Sequence, residues 1–367
     1  MRFYTEYVAL FGLGYVGQRH AKNLLDLGYR LLIVTQYGQS FCHHLRGIYG
    51  DERVLQVAHR QSILEQSNLP LFGLICNGTS EHYSTALFLA DLGVDLYVEK
   101  PLTGSWSDSA SLIKLARKRN VIITTGYMLR HSQEVNLIKA FESNKNIETP
   151  CVARLEIGLD VDLWRNDPHR RDFYSHDKKK GGGALLDLSH EIDIAIEIWG
   201  LPKTVFARSV PLNIPSAKDN GISTEGAVEL IFEYSDFFLV SIGLDMFRPT
   251  YRRHIDIKYA DRFMSWNHEN GDFLIANKKM SQDKITWDCQ EVKCEPRNAN
   301  SWNNFFVASI KIFADKLKSP SRTALVDEIC DRELATAYLL HISEIACRSG
   351  TVIALDRMSS YVALQEP

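Results

Sequence analysis

The sequence predicts a two-part α/β protein, a domain built on a parallel sheet followed by an α/β domain with a large, mostly antiparallel open sheet. Three observations predict it. A Gly12-Leu13-Gly14-Tyr15-Val16-Gly17 loop follows an apolar strand and opens a helix, which is the context a dinucleotide fingerprint requires. Strand-like and helix-like segments then alternate to about residue 126, as in a parallel sheet with right-handed crossovers. Beyond that point long runs of alternating polar and apolar residues take over, the pattern of antiparallel strands with one covered face.

The elements follow in order. Apolar runs predict strands at Tyr7–Phe11, Leu31–Thr35, Leu71–Cys76, Leu96–Val98 and Val121–Thr125. Helices are expected at Gly17–Leu27, Glu81–Leu92 and Ser107–Arg119, with Ser107 and Asp108 as caps of the last and Asn120 as its stop. Gly126 to Ser143 reads as a helix leading into the second domain. Strands are then predicted at Val152–Leu159, Thr204–Val210, Gly226–Tyr234, Phe237–Met246, His254–Tyr259 and Thr286–Val292. Helices are predicted at Ala184–Trp199, Trp302–Lys318 and Val326–Arg348. The domains are therefore 1–126 and 127–367, with the last helices free to pack back on the first domain.

Composition excludes several classes. The 367 residues are 45% hydrophobic and 24% charged, with a net charge of -3, which gives no reason to expect nucleic acid or an anionic membrane as partner. No stretch approaches the roughly 20 apolar residues of a membrane span. The first strand runs straight into the glycine loop, leaving little room for a removable signal. Seven scattered cysteines, an odd number, suggest reduced thiols in a cytoplasmic protein, and no spacing among them suggests a metal site.

Glu99-Lys100-Pro101 carries the most chemistry. It closes an apolar strand about eighty residues beyond the glycine loop and so falls at the carboxyl edge of the same sheet, where ligands of open α/β sheets bind. Proline restricts the residue before it, keeping Lys100 out of a helix. A cation held there can polarise a hydroxyl or carbonyl during hydride transfer. Gly12, Gly14 and Gly17, with Tyr15 and Val16, would cradle a pyrophosphate. The acid that usually holds the ribose 2′-hydroxyl of NAD is missing, because the second strand ends Val34-Thr35-Gln36-Tyr37-Gly38. NAD or NADP is therefore permitted, with Thr35 at the ribose.

The run Gly181-Gly182-Gly183 followed by Ala184–Asp193 is the second informative stretch. On one continuous helix at about 100° per residue, His190 falls opposite an apolar stripe, with Asp187 about 60° away. That places His190 outside the core, as a general base that Asp187 orients. Trp164 to Lys180 carries six cations against three anions. It reads either as a solvated loop or as an anion pocket built with Arg165, Arg171 and a lysine.

Gly12-x-Gly14-x-x-Gly17-x-x-His20, Asn77-Gly78-Thr79-Ser80-Glu81-His82, Glu99-Lys100-Pro101, Gly126-Tyr127-Met128-Leu129-Arg130 and Gly181–Asp193 resemble, in order and spacing, the Gfo/Idh/MocA oxidoreductases. The resemblance implies a Rossmann domain, a second domain with a large open sheet, NAD or NADP, and chemistry at a sugar-like carbinol. It implies that Lys100 contacts substrate and nicotinamide ribose and that His190 is the acid/base. Asn77, Thr79, His82 and Glu99 would line the cofactor. Arg165 and Arg171, on the anion-pocket reading of their segment, are the candidates for the substrate side together with Tyr174, Asp187 and His190. Two departures stand out. Asp187 precedes His190 by three residues where the family has four, and Gly78 replaces a common proline. The expected activity is oxidation or reduction of a sugar, amino sugar or sugar nucleotide. An NAD-dependent glycosidase using transient oxidation and a cofactor-binding sensor or scaffold are the alternatives. The alternation also leads us to expect a broad apolar sheet face, which left open would be an aggregation hazard, and hence a homodimer or homotetramer through that sheet.

Overall fold

The computed structural model describes residues 6–142, 150–165, 174–212, 224–281, 284–294 and 298–355. The chain divides into two compact units, Met1–Gly126 with Phe306–Ala337 and Tyr127–Phe305 with Tyr338–Pro367.

The first unit holds β1 (Val8–Phe11), α1 (Tyr15–Asp26), β2 (Leu31–Val34), α2 (Gln39–Tyr49), β3 (Val54–Val57), β4 (Phe72–Ile75), α3 (Thr79–Asp91), β5 (Leu96–Val98), α4 (Trp106–Arg119) and β6 (Ile123–Thr125). Its six strands run in the order β3-β2-β1-β4-β5-β6, every neighbouring pair parallel. This is the doubly wound order, whose switch point lies between β1 and β4. The strands β1, β2 and β4 are buried at every position, as expected of a sheet covered on both faces. Residues from the chain's later part complete this core. Phe313 meets Phe72 and Tyr97 edge-on, with ring centroids 5.3 and 5.7 Å apart, and Arg322 pairs with Asp95.

Two elements of this unit escape the apolar pattern. α2 buries only Cys42 and Leu45, and of β3 only Val54 is buried, so neither shows a stripe or a run. One cap is also corrected. The side chain of Ser105, rather than Ser107 or Asp108, accepts the Asp108 N–H and starts α4. Asn120 does stop that helix, in the left-handed conformation at φ 54°.

The second unit begins with a 3₁₀ turn at Met128–His131 and α5 (Gln133–Glu142), so the expected single helix is two pieces. β7 (Val152–Gly158), α6 (Val161–Arg165), α7 (Ala184–Asp187) and α8 (His190–Trp199) follow. Then come β8 (Thr204–Pro211), β9 (Glu225–Ser235), β10 (Phe238–Asp245), β11 (Arg252–Lys258), β12 (Arg262–Asn267), β13 (Asp272–Met280) and β14 (Ile285–Lys293). α9 (Ala299–Lys316), α10 (Arg322–Ser349) and β15 (Ile353–Ala354) close the described chain. The sheet runs β14-β13-β12-β11-β7-β10-β9-β8-β15. It is antiparallel except between β7 and β10. Val228, Leu230 and Phe232 of β9 and Phe238, Val240, Ile242 and Leu244 of β10 are buried, on the face where α7 and α8 pack.

The opposite face is not the broad apolar surface expected from the alternation. Its central rows place Arg208 opposite Glu229 and Arg154 opposite Asp256. Glu156 there accepts from Arg248 at 2.9 Å and Arg252 at 2.6 Å. Alternation fixes which residues point outward, and here most of them are polar.

Candidate active site

The cofactor edge of the first unit is shaped by three glycines with different duties. Gly12 has φ 87°, and a Cβ on it would sit 2.7 Å from the Asn77 backbone nitrogen. At Gly17 a Cβ would lie 2.2 Å from the Gly12 carbonyl oxygen. These two therefore let the loop after β1 cross the turn after β4. Gly14 has open space, with nothing within 4 Å of where a Cβ would stand, and it opens α1 without a side-chain cap. Bare backbone at a helix amino terminus beside free space fits a pyrophosphate. Tyr15 is exposed and Val16 half-buried beside it.

Lys100 is held from both sides. His20 Nε2 lies 2.6 Å from Glu99 Oε1, and since a carboxylate only accepts, the ring donates. His20 is fully buried, edge-on to Tyr97 and Phe306. The other oxygen, Glu99 Oε2, accepts the Lys100 N–H at 3.3 Å. A Cβ on Gly126 would come within 3.0 Å of Glu99 Oε1, so glycine there makes room for the carboxylate. After Lys100 comes a cis bond to Pro101, whose carbonyl oxygen lies 2.9 Å from His82 Nδ1. His82 Nε2 lies 3.1 Å from the Asn77 carbonyl oxygen.

His82 thus stands between the Asn77 turn and the lysine turn. The ring is 1% exposed and faces backbone carbonyls. Burial pushes its pKa below the usual histidine value, so it is neutral and donates to one carbonyl at a time. Asn77 Nδ2 donates to Thr85 Oγ1 at 3.0 Å, and Thr79 is buried at the start of α3. Thr35 Oγ1 accepts the Tyr37 N–H at 3.2 Å.

In the second unit the expected continuous helix is broken. α7 ends at Asp187 and α8 begins at His190, with Leu188 and Ser189 between them. Asp187 and His190 therefore do not share one helical register. His190 is 7% exposed and Asp187 4%, so neither lies on an open face. Tyr174 Oη donates to Asp187 Oδ1 at 2.7 Å, giving Asp187 a partner other than the histidine. The Tyr127 ring meets His190 edge-on at 5.6 Å, and its hydroxyl donates to Ser189 Oγ at 3.3 Å.

The first turn of α8 is clamped by two buried ion pairs that the sequence does not reveal. Arg130 Nε donates to both oxygens of Asp193 at 2.9 Å, and its guanidinium lies 5.0 Å from the Tyr127 ring centre. Arg253 Nε donates to Glu191 Oε1 at 2.6 Å. Arg130 stands within the Gly126–Arg130 motif, yet nothing in one sequence says which acid it pairs with.

The glycine run has a local explanation. A Cβ on Gly182 would collide with the Tyr174 carbonyl oxygen at 2.1 Å, and one on Gly183, at φ 116°, would meet Glu225 Oε2 at 2.6 Å. Lys178 bonds Glu225 at 2.7 Å and Glu344 at 3.2 Å. Burial disfavours its charge, but the two carboxylates outweigh burial and raise its pKa. Lys178 is therefore bound in an ion cluster, not a loose ammonium awaiting an anion. Arg165 ends α6, its side chain lies outside the described residues, and Arg171 lies outside them altogether. Among the described residues no cluster could hold a metal ion, and no described helix is long and apolar enough to cross a membrane.

Residues 7–127 match the sequence model of the GFO_IDH_MocA group, described as an oxidoreductase family with an NAD-binding Rossmann fold. Myo-inositol 2-dehydrogenase of Thermotoga maritima is 25% identical over 195 residues, 53% of this chain and 54% of that one. Scyllo-inositol 2-dehydrogenase (NAD(+)) of Bacillus subtilis is 27% identical over 199 residues, 52% and 53% of the two chains. The matched region spans about half the length of these curated relatives. A levoglucosan dehydrogenase solved with NADH and levoglucosan superposes with a TM-score of 0.76 at 16% identity, covering 96% of this chain and all of that one. GenD2 from gentamicin A biosynthesis, solved with NAD, gives 0.73 at 16% identity over 97% and 98%. At such identities the likeness is one of fold.

Proposed function

We propose that the chain is an oxidoreductase of the Gfo/Idh/MocA kind and that it moves a hydride between NAD or NADP and a hydroxyl or ketone carbon of a sugar, amino sugar or sugar nucleotide. The nicotinamide supplies the hydride acceptor or donor when bound. Gly12, Gly14, Tyr15, Val16, Gly17 and Thr35 would hold the dinucleotide, with Asn77, Thr79 and Glu99 shaping its edge. Lys100 polarises the substrate oxygen, and His190 takes or returns its proton. Asp187 and Tyr174, bonded to each other, serve the substrate side together with Arg165 and Arg171.

The observation that carries this reading is the holding of Lys100. The Glu99 carboxylate accepts both the His20 ring and the lysine's own N–H, while His82 grips the next carbonyl. These bonds fix the Lys100 backbone, and so the point from which its ammonium reaches a reacting oxygen, at the ligand-binding edge of a doubly wound sheet. The names of the relatives point to polyols and anhydrosugars, so secondary carbinols of that kind are the first substrates to try.

Lys100→Met should abolish turnover on whichever of myo-inositol, levoglucosan or a sugar-nucleotide panel the protein accepts, while dinucleotide affinity stays within a few-fold. Unchanged turnover would remove Lys100 from the chemistry. Net NADH or NADPH seen by near-ultraviolet absorbance separates a dehydrogenase from a glycosidase that returns its hydride.

A further inference from the structure

We infer that the ribose end of the dinucleotide site does not discriminate against a 2′-phosphate, so that the protein binds NADP as well as NAD, with Thr35 and Gln36 as the residues that set this. The inference rests on the reading of the glycine loop as a dinucleotide site and concerns which dinucleotide it takes.

In NAD-selective sites an Asp or Glu at the end of the second strand accepts hydrogen bonds from the ribose hydroxyls. The same carboxylate repels a 2′-phosphate through like charge at short range. Here β2 ends at Val34 and continues Thr35-Gln36-Tyr37-Gly38-Gln39, five neutral residues. α2 follows with no acid in its first turn.

The loop is fixed by its own bonds. Thr35 N–H donates to the Val57 carbonyl at 2.9 Å, and Gln56 Nε2 donates to the Tyr37 carbonyl at 3.2 Å. Gln39 Nε2 donates to the Gln36 carbonyl at 2.9 Å. Because Thr35 Oγ1 already accepts the Tyr37 N–H, its hydroxyl hydrogen remains available to donate. A donor suits a phosphate oxygen and a ribose oxygen equally.

The nearest carboxylates in sequence are remote. Asp26 accepts from Tyr49 at the last turn of α2, and Asp51 follows that helix. Eleven helical residues rise about 16 Å, beyond a Debye length of roughly 10 Å at 0.1 M salt. Arg46, Arg53 and Arg60 are held on backbone carbonyls, so they give NADP no selective contact, and NADP is tolerated without being preferred. Arg46 Nε donates to the Val54 carbonyl at 3.0 Å, and Arg60 donates to the Ser84 carbonyl at 2.8 Å.

The test is calorimetric titration of the whole protein, freed of any nucleotide that purifies with it, with NAD+ and with NADP+. The two Kd values should agree within about tenfold, a difference of about 1.4 kcal/mol or less. NADP+ weaker by more than a hundredfold overturns the inference while leaving the dinucleotide reading intact. Binding of neither overturns both. Gln36→Asp and Thr35→Asp, made separately, supply the missing charge, and at least one should weaken NADP+ relative to NAD+ by thirtyfold or more. If both leave the ratio unchanged, these positions do not set it.

Discussion

Arg130 and Asp193 show what a single pair of residues does for His190. Both are about 2% exposed, and breaking such a pair leaves one buried charge without its counter-ion, which costs about 3–5 kcal/mol. Arg130→Met should therefore lower the unfolding free energy in urea by that amount, and the double change Arg130→Met with Asp193→Leu should recover much of it. A single and a double variant of equal stability would refute the pairing. Titration gives a second residue-scale prediction. Burial lowers the folded-state pKa of His82 from 6.5, so the unfolded chain binds the proton more readily. Stability from this group is complete above about pH 6.5 and falls as pH drops below it. Urea unfolding at pH 7.5 and 5.5 should show a smaller acid loss in His82→Gln, and an unchanged loss would mean that other groups set the slope. The identity of Lys100, Glu99, His20 and His82 was legible because proline and glycine punctuate their motifs. Their mutual bonds were not, since His20 and Glu99 are 79 residues apart in sequence.

Elements were legible where apolar periodicity was strong and illegible where few residues of an element are buried, even inside a sheet. β12 and β13 escaped because β12 has only Met264 and Trp266 buried and β13 ends in exposed Lys279 and Met280. The break between α7 and α8 escaped because helical spacing survives two non-helical residues, so the apolar stripe looked continuous. Gly78 is the opposite case, a departure from the family's wording that the backbone explains. Its φ of -62° is the value a proline ring imposes, so the turn has the shape proline would give it. Only Ser80 Oγ, at 3.9 Å, comes near a Cβ built there. Gly78→Pro should stabilise the protein by about 0.4–1 kcal/mol through the unfolded chain, read as a higher melting temperature. A lower one would show that the Asn77 turn cannot accept the ring.

At the scale of the whole molecule, the face of the second unit's sheet opposite α7 and α8 bears on association. Its charges lie in cross-strand rows, while Ile231 at 39% exposure and Leu239 at 40% stand beside them on adjoining strands β9 and β10. An interface between separately stable subunits differs little in bulk polarity from the rest of a surface, so charged rows with scattered apolar residues are compatible with one. A self-associating face must also be complementary to itself under a two-fold rotation. Rows that hold both signs, Arg154 with Asp256 and Arg208 with Glu229, can meet that condition. We therefore expect a homodimer or homotetramer through this face, formed by mixed polar and apolar contacts and weakened by salt. Light scattering at micromolar concentration should give a multiple of the 41.8 kDa chain mass. Leu239→Arg should shift that mass toward the monomer without changing the circular dichroism, because Leu239 points away from the unit's core. A single-chain mass for the unaltered protein would overturn the expectation, and an unchanged multimer of Leu239→Arg would move the interface elsewhere.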